Sequence, residues 1–313
     1  MKVAVTGGTG VVGSALVRAL VADGHDVSVL VRRDAALPDG ARPVPGDVMD
    51  PGSLDRLVAG SEVVFHVAGV NELCPRRPDL MWQVNVSGTR NVLEAARRGG
   101  VRRVVHTSSA VTIGEEEGEV GTEETAHSGR YLSLYARTKT EAERLALAFR
   151  GVEVVAVNPS SVQGPGRATG TGKILLAAAR GRLRFAVDAT FSLVDIEDCS
   201  RGHILAAGRG RPGERYILSG AILTTRQALA VLEEVLGPLA PPRFVPGWLL
   251  PVAGWAGALL PVPVPVCPES VRVARHAHRL DGSRATRELG LQYTPVADTF
   301  RRTVEWFRET GLA

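Results

Sequence analysis

The glycine turn at the start of the chain restricts the fold more than any other feature. Val3-Ala4-Val5-Thr6-Gly7-Gly8-Thr9-Gly10-Val11-Val12-Gly13 places glycines at 7, 10 and 13, directly after a valine-rich strand and at the opening of a helical pattern. A strand that feeds a helix through such a turn is the first half of a parallel βαβ unit, and the spacing suits a dinucleotide. Gly7 permits the tight turn. Gly10 lets the main chain approach a pyrophosphate. Gly13 lets helix and strand pack closely. The diphosphate would lie on the positive end of the helix and on its free N–H groups, in a cradle that includes Thr9, Val11 and Val12.

The same rhythm continues along the chain. Val27–Val31, Val63–Val67, Arg103–His106 and Val152–Val157 are short and valine-rich, and they read as buried parallel strands. Helical periodicity fills the intervals near 11–23, 52–60, 80–98 and 134–149. The alternation predicts an α/β fold, a Rossmann-type doubly wound parallel sheet. From about residue 160 the pattern loosens: a Gly-rich loop at Gly164–Gly172, a helix near 171–180, a strand near Phe191–Ile196 and a helix from about Asp198. A strand at Glu214–Leu218, a helix at Thr225–Leu236 and a closing helix at Pro295–Thr310 complete the chain. The expected division is a dinucleotide-binding domain over 1–160. A smaller C-terminal α/β substrate-binding region spans 161–313, with segments such as 191–208 returning to the core of the first.

Composition excludes several classes. With 44% hydrophobic and 22% charged residues the 313-residue chain has material for a core. The net charge is +4 with acids and bases interleaved, and no Lys/Arg stripe alternates with aromatics, so nucleic acid is not an expected partner. Three scattered cysteines, Cys74, Cys199 and Cys267, argue against a disulfide framework or a zinc site and read as buried or idle thiols in a reducing compartment. No apolar signal region follows Met1, and the chain is expected to be cytoplasmic. Five prolines interrupt the apolar stretch Phe244–Val266, so it reads as a pocket wall or interdomain packing rather than a membrane span. Trp248 and Trp255 leave a monotopic membrane contact open.

Tyr135 and Lys139 lie four apart on a predicted helix and share a face. The chain has only four Tyr and three Lys, so chance supplies roughly 0.04 such pairs and the spacing is informative. A nearby ammonium stabilises a phenolate. The pair therefore predicts a phenol with a lowered pKa that gives a proton to a carbonyl oxygen or takes one from an alcohol. Ser109 follows the strand Arg103–His106, where its hydroxyl would polarise the same oxygen. Thr107 and Ser108 are neighbours of the same type.

Together, the glycine turn, Gly46-Asp47-Val48, His66-Val67-Ala68-Gly69, Asn85-Val86-Ser87-Gly88-Thr89, Thr107-Ser108-Ser109-Ala110, Tyr135-Ala136-Arg137-Thr138-Lys139 and Asn158-Pro159 resemble the extended short-chain dehydrogenase/reductase superfamily, the NAD-dependent epimerase/dehydratase family. The resemblance runs the length of the chain, with the motifs in order. It implies Ser109, Tyr135 and Lys139 as the catalytic set, with Ser109 chosen because it precedes Ala110. Lys139 would also hold the nicotinamide ribose. Asp47 and Val48 would contact adenine, Val67, Ala68 and Gly69 would line the cofactor with Thr107, and Asn158 and Pro159 would shape the pocket. Asn85 would support the site, or else cap the helix after it. Where NAD-binding relatives carry an acid at the end of the second strand, this chain has Val31-Arg32-Arg33. Guanidinium suits a 2′-phosphate, so NADP(H) is preferred and NAD(H) remains possible.

Phe191-Ser192-Leu193-Val194-Asp195-Ile196 lacks the Arg and His of sugar-nucleotide enzymes, and Thr112-Ile113-Gly114 replaces their Val-Tyr-Gly. Asn158–Gly166, Gly202–Ala206, Glu214–Gly220 and Glu288-Leu289-Gly290 resemble the dihydroflavonol 4-reductase-like branch, which includes proteins labelled hopanoid-associated sugar epimerases. The implied reaction is reduction of a small, apolar carbonyl substrate. An epimerase or dehydratase with tightly held cofactor, or a non-catalytic nucleotide sensor, are the alternatives. By the same resemblance, helices 80–98 and 134–149 would form a four-helix interface in a homodimer. No metal site is expected. The acidic run Glu115–Glu124 reads as a solvated loop, and His66, His106, His203, His276 and His278 as structural or surface residues.

Overall fold

Apolar side chains at nearly every position make both faces of the central strands apolar, which only a sheet covered on both sides can bury. The computed structural model builds that sheet; it describes residues 1–33, 35–169, 171–245 and 267–313. Strands β1 (Lys2–Thr6), β2 (Asp26–Val31), β3 (Ala41–Pro45), β4 (Val63–His66), β5 (Arg103–Thr107), β7 (Glu153–Pro159) and β11 (Arg215–Leu218) form one sheet in the order β3-β2-β1-β4-β5-β7-β11. Every neighbouring pair in it is parallel. The strand order reverses beside β1 and β4, and in open α/β sheets the C-terminal strand ends at such a reversal are where a ligand crevice lies. The short β6 (Val120–Gly121) lies outside this sheet.

Period-two alternation sorts the core into layers. Val3 and Val5 face one way, with Leu16 of helix α1 (Val11–Ala22) and Cys199 and Ala206 of α7 (Ile196–Arg209). Ala4 faces the other way, with Leu54 of α2 (Pro51–Val58), Leu93 of α4 (Gly88–Arg98) and Ala146 of α5 (Leu134–Ala148). Val3, Val5, Val27, Val29, Val63, Val105 and Val155 are fully buried, and burying each side chain contributes roughly 1.5–3 kcal/mol.

Both edges of the sheet are strands poor in valine. β3 carries prolines at 43 and 45, tolerated because one side of an edge needs no ladder donors. β11 returns the chain to the sheet at its other edge, against β7. Of the 191–208 segment, α7 packs on the sheet, whereas β10 (Thr190–Asp195) pairs with β8 (Ser161–Gln163) and β12 (Ala221–Thr224) in a separate three-stranded sheet. The 80–98 pattern is not one α-helix. α3 (Pro78–Trp82) passes through a π-helical turn at Gln83–Ser87 before α4 begins.

Beyond residue 160, Leu175 of α6 (Gly172–Ala179), Leu193, Leu232 of α8 (Thr225–Leu236) and Phe300, Val304 and Phe307 of the closing helix bury one another. Asp195 ties this core to the first. Its carboxylate accepts from the Glu197 N–H at 2.8 Å, capping α7, and from Arg302 at 2.6 Å. The β9 (Phe185–Val187) and β13 (Arg243–Val245) strands pair at the rim, with Arg226 stacked 3.8 Å over Phe244. After the undescribed stretch come α9 (Pro268–His276), β14 (Arg279–Leu280), a π-helical turn at Ala285–Leu289 and α10 (Val296–Glu309). The rest of the apolar stretch, with Trp248 and Trp255, lies outside the described residues. No helix among the described residues is long and apolar enough to cross a membrane.

The cysteine reading is overturned. Cys74, after β4, is bonded to Cys267, at the start of α9, and only Cys199 is free and buried. The partners are 193 residues apart in sequence, so spacing carries no trace of a contact that the return of α9 to the segment after β4 creates.

Candidate active site

Gly7 sits at φ +77°, and a Cβ there would meet the Ala68 main chain at 2.5 Å. At Gly13 a Cβ would fall 2.1 Å from the Gly7 carbonyl oxygen. These two glycines let the turn close, through a Gly10 N–H to Gly7 carbonyl bond of 3.0 Å, with helix and strand in contact. Gly10 caps α1 with no side-chain acceptor, and no acid stands in its first turn. The first N–H groups of the helix therefore point out of an uncapped, acid-free end with Thr9 and Gly10 exposed beside it. This donor set fits a dinucleotide diphosphate.

The C-terminal ends of the neighbouring strands carry the rest. Val31 is buried at the end of β2, while Arg32 and Arg33 are exposed and hold no ion pair among the described residues. Asp47 accepts from the Met49 N–H at 2.8 Å and Val48 is buried, its carbonyl held by Asn91. Val67, Ala68 and Gly69 continue β4 into the crevice.

Two buried histidines set these strand ends. The Thr89 hydroxyl donates to the Asn85 carbonyl at 2.6 Å, so His66 Nε2–H must donate to Thr89 (3.0 Å), and neutral His66 Nδ1 then accepts from Thr6 at 2.7 Å. His203 donates Nδ1–H to the Cys199 carbonyl at 2.7 Å and accepts the Thr107 hydroxyl at Nε2, 2.9 Å. Burial, with Lys139 nearby, pushes His66 down to about 3; burial takes His203 to about 4. Thr107, expected beside the cofactor, has its hydroxyl committed to His203.

Ser133 caps α5 by accepting from the Ala136 N–H at 3.1 Å, which fixes the first turn on which Tyr135 stands. One turn on, the buried Lys139 donates to the Thr107 carbonyl at 2.6 Å, and its ammonium lies 3.9 Å from where a Gly69 Cβ would be. Burial draws that ammonium down to about 8, against the opposing charge of Glu143. The Ser109 hydroxyl is the polar neighbour of the Tyr135 phenol, whereas Ser108 Oγ is buried without a partner among the described residues.

The expected depression of the Tyr135 pKa by Lys139 is not what the structure has. Burial pushes the phenol up, and the groups that pull it back are the Ser109 hydroxyl and the Arg167 guanidinium. Lys139 donates to the Thr107 carbonyl, and the charge that acts on the phenol is that of Arg167, in the loop after β8. Arg167 Nε is buried with no partner among the described residues. Nothing in the sequence singles out this arginine from 33 others.

Asn85 does not cap α4. It lies in the π-helical turn and brackets Val70, accepting its N–H at 2.7 Å and donating to its carbonyl at 3.0 Å, with a further bond to Thr138 of α5. Asn158 turns its amide nitrogen to Glu143 (2.5 Å), Thr112 (2.9 Å) and the Ser109 carbonyl (3.3 Å). Glu143, also missed, is paired with Arg215 at 3.1 Å; its place one turn beyond Lys139 was the available signal. The acidic run is not uniformly solvated. Glu115 and Glu123 are buried, Glu115 against His276 and His278 and Glu123 on the Ile217 N–H at 2.8 Å.

Residues 3–219 match the model of the NAD dependent epimerase/dehydratase family. The chain belongs to that family. It is 36% identical over 327 residues to sterol demethylase protein B of Methylococcus capsulatus, covering the whole of both chains. It is 33% identical over 326 residues to a Synechocystis protein that carries the name dihydroflavonol 4-reductase, covering 98% of this chain and 94% of that one. Among solved structures, MoeE5 in complex with UDP-glucuronic acid and NAD superposes with a TM-score of 0.80 at 26% identity, covering 99% of this chain and all of that one. The protein is thus an NAD(P)-dependent enzyme of the extended short-chain dehydrogenase/reductase superfamily, with a Rossmann-type sheet.

Proposed function

We propose that the protein is an NADP(H)-dependent carbonyl reductase, with residues 1–160 chiefly holding the cofactor and 161–313 chiefly the substrate. The observation that carries this reading is the grouping of the Ser109 hydroxyl, the Tyr135 phenol and the Arg167 guanidinium beside the buried Lys139. A nicotinamide bound in the crevice would supply the hydride. Ser109 donates a hydrogen bond to the substrate oxygen and polarises it. Tyr135 delivers the proton that completes the alcohol, and a phenol whose pKa burial raises is well suited to remain protonated until that moment. Lys139 holds the end of β5 and offers its remaining N–H groups to the nicotinamide ribose. Asn158 and Glu143 keep the Ser109 loop in place.

The preference for NADP(H) rests on the exposed Arg32 and Arg33 and on Val31 in place of an acid. The reductase reading is favoured over sugar-nucleotide chemistry by the Phe191–Ile196 segment and by the likeness to a reductase over nearly the whole chain. An apolar ketone or aldehyde is the expected substrate and a homodimer the expected assembly.

Purified protein is incubated with NADPH and a panel of aromatic and aliphatic ketones, aldehydes, UDP-sugars and dTDP-sugars, with NADPH absorbance and product stereochemistry both followed. The expected result is NADPH consumption with a carbonyl compound. Sugar-nucleotide conversion without net consumption would replace the reading by epimerisation. Fluorescence titration should show NADPH bound several-fold more tightly than NADH, and equal affinities would remove Arg32 and Arg33 from cofactor choice.

A further inference from the structure

We propose that Glu115, His276 and His278 form a binding site for a divalent transition-metal cation, zinc foremost, separate from the catalytic group. Glu115 lies far along the chain from His276 and His278, and the three side chains converge with one ligand atom each inside a 4.8 Å span. Glu115 Oε1 lies 2.6 Å from His278 Nδ1 and 3.5 Å from His276 Nε2. The edges of a tetrahedral zinc site with bonds of about 2.0–2.1 Å are roughly 3.3–3.5 Å, so one distance already fits and the other must open by less than about 1 Å.

An independent feature points to a ligand. The Glu115 side chain is 1% exposed, and its second oxygen, Oε2, is buried with no hydrogen-bond partner among the described residues. Buried polar atoms in folded proteins are almost always satisfied, and a carboxylate left half-satisfied beside two imidazoles is what a cation would complete.

Backbone geometry presents the two histidines together. Ala277 caps α9 in the left-handed region at φ +56°, which turns the chain so that the side chains on either side meet, their rings 4.7 Å apart. Ser192 Oγ holds the His278 carbonyl at 3.1 Å, and β14 pairs with β6 to fix the loop that carries Glu115. Two imidazoles and one carboxylate with further positions open are borderline ligands, suited to zinc or its first-row neighbours rather than to calcium or magnesium. A bound cation would fasten the C-terminal end of α9 to the segment that leaves Ser109. At its other end, Glu269 already accepts the Leu134 N–H beside Tyr135 at 2.9 Å. The site is structural, and its existence does not depend on which reaction the enzyme performs.

Full-length protein is treated with EDTA, desalted and titrated with ZnCl2 by calorimetry, with CoCl2 absorption as a second readout. One zinc ion per chain is expected, together with a rise in Tm. Glu115→Gln, His276→Gln and His278→Ala should each weaken zinc binding at least tenfold and abolish the Tm rise, whereas the control His25→Ala should change neither. If circular dichroism shows that Glu115→Gln fails to fold, His276→Gln at the more open edge decides. Absence of stoichiometric binding, or binding undiminished in the folded histidine variants, overturns the proposal. Neither result bears on NADPH turnover.

Discussion

Tyr135 is the residue on which the proposed chemistry turns. Tyr135→Phe keeps the ring and removes the proton. It should lower kcat by about 10²–10⁴-fold and leave the NADPH dissociation constant unchanged. Wild-type turnover in that variant would take the phenol out of the reaction. Arg167 offers a sharper test of the electrostatics. Its guanidinium pulls the phenol down against burial, so Arg167→Gln should let the phenol pKa rise further. In alcohol oxidation, where the phenolate is the base, the rising limb of the pH–rate profile should move to higher pH. A profile that stays in place would show that Arg167 does not act on the phenol. The Tyr135–Lys139 pair could be read from four-residue spacing, because a helix converts that spacing into a shared face. The effective cation beside the phenol could not, because Arg167 reaches it through a loop whose path no periodicity records.

Among the elements, α9 joins the two regions most directly. Its start is bonded through Cys267 to Cys74, and Glu269 in its first turn reaches both the Cys74 N–H at 2.6 Å and the start of α5. Denatured, unreduced protein should therefore show one titratable thiol, Cys199, and three after reduction; three thiols before reduction would refute the pairing. In the chain-entropy account, closing a loop of this length by a disulfide contributes about 5 kcal/mol by restricting the unfolded chain, so Cys74→Ser should lower Tm. Helices α1 and α5 and the valine strands were legible because their periodicity is local. The edge strand β3, the π-helical turn at Gln83–Ser87 and the pairing of β8, β10 and β12 were not. Prolines mask β3, and strand partners are chosen by the rest of the chain.

For the whole molecule, acid stability depends on buried imidazoles. His66 and His203 are held near 3 and 4 and His106 well below its ordinary value, first by burial in each case. Their folded pKa values lie below the unfolded value, so the unfolded chain binds more protons as pH falls. The stabilisation is complete above about pH 6.5 and is lost progressively below it. Tm should fall between pH 7 and pH 5, and a flat Tm over that interval would contradict the neutral, buried assignment. Light scattering should return twice the 33.2 kDa of one chain if α4 and α5 form the proposed dimer; a monomer mass would end that reading.

The sequence by itself determined the parallel strands, the glycine turn and the shared helix face of Tyr135 and Lys139. Each of these is written in spacings shorter than about one helix, where backbone geometry alone converts separation along the chain into position. The tertiary structure decided which cation faces the phenol, which cysteines meet and why Glu115 is buried beside two histidines. Those contacts join residues tens to hundreds of positions apart, and their proximity is set by how apolar layers pack, a property no local stretch of chain carries.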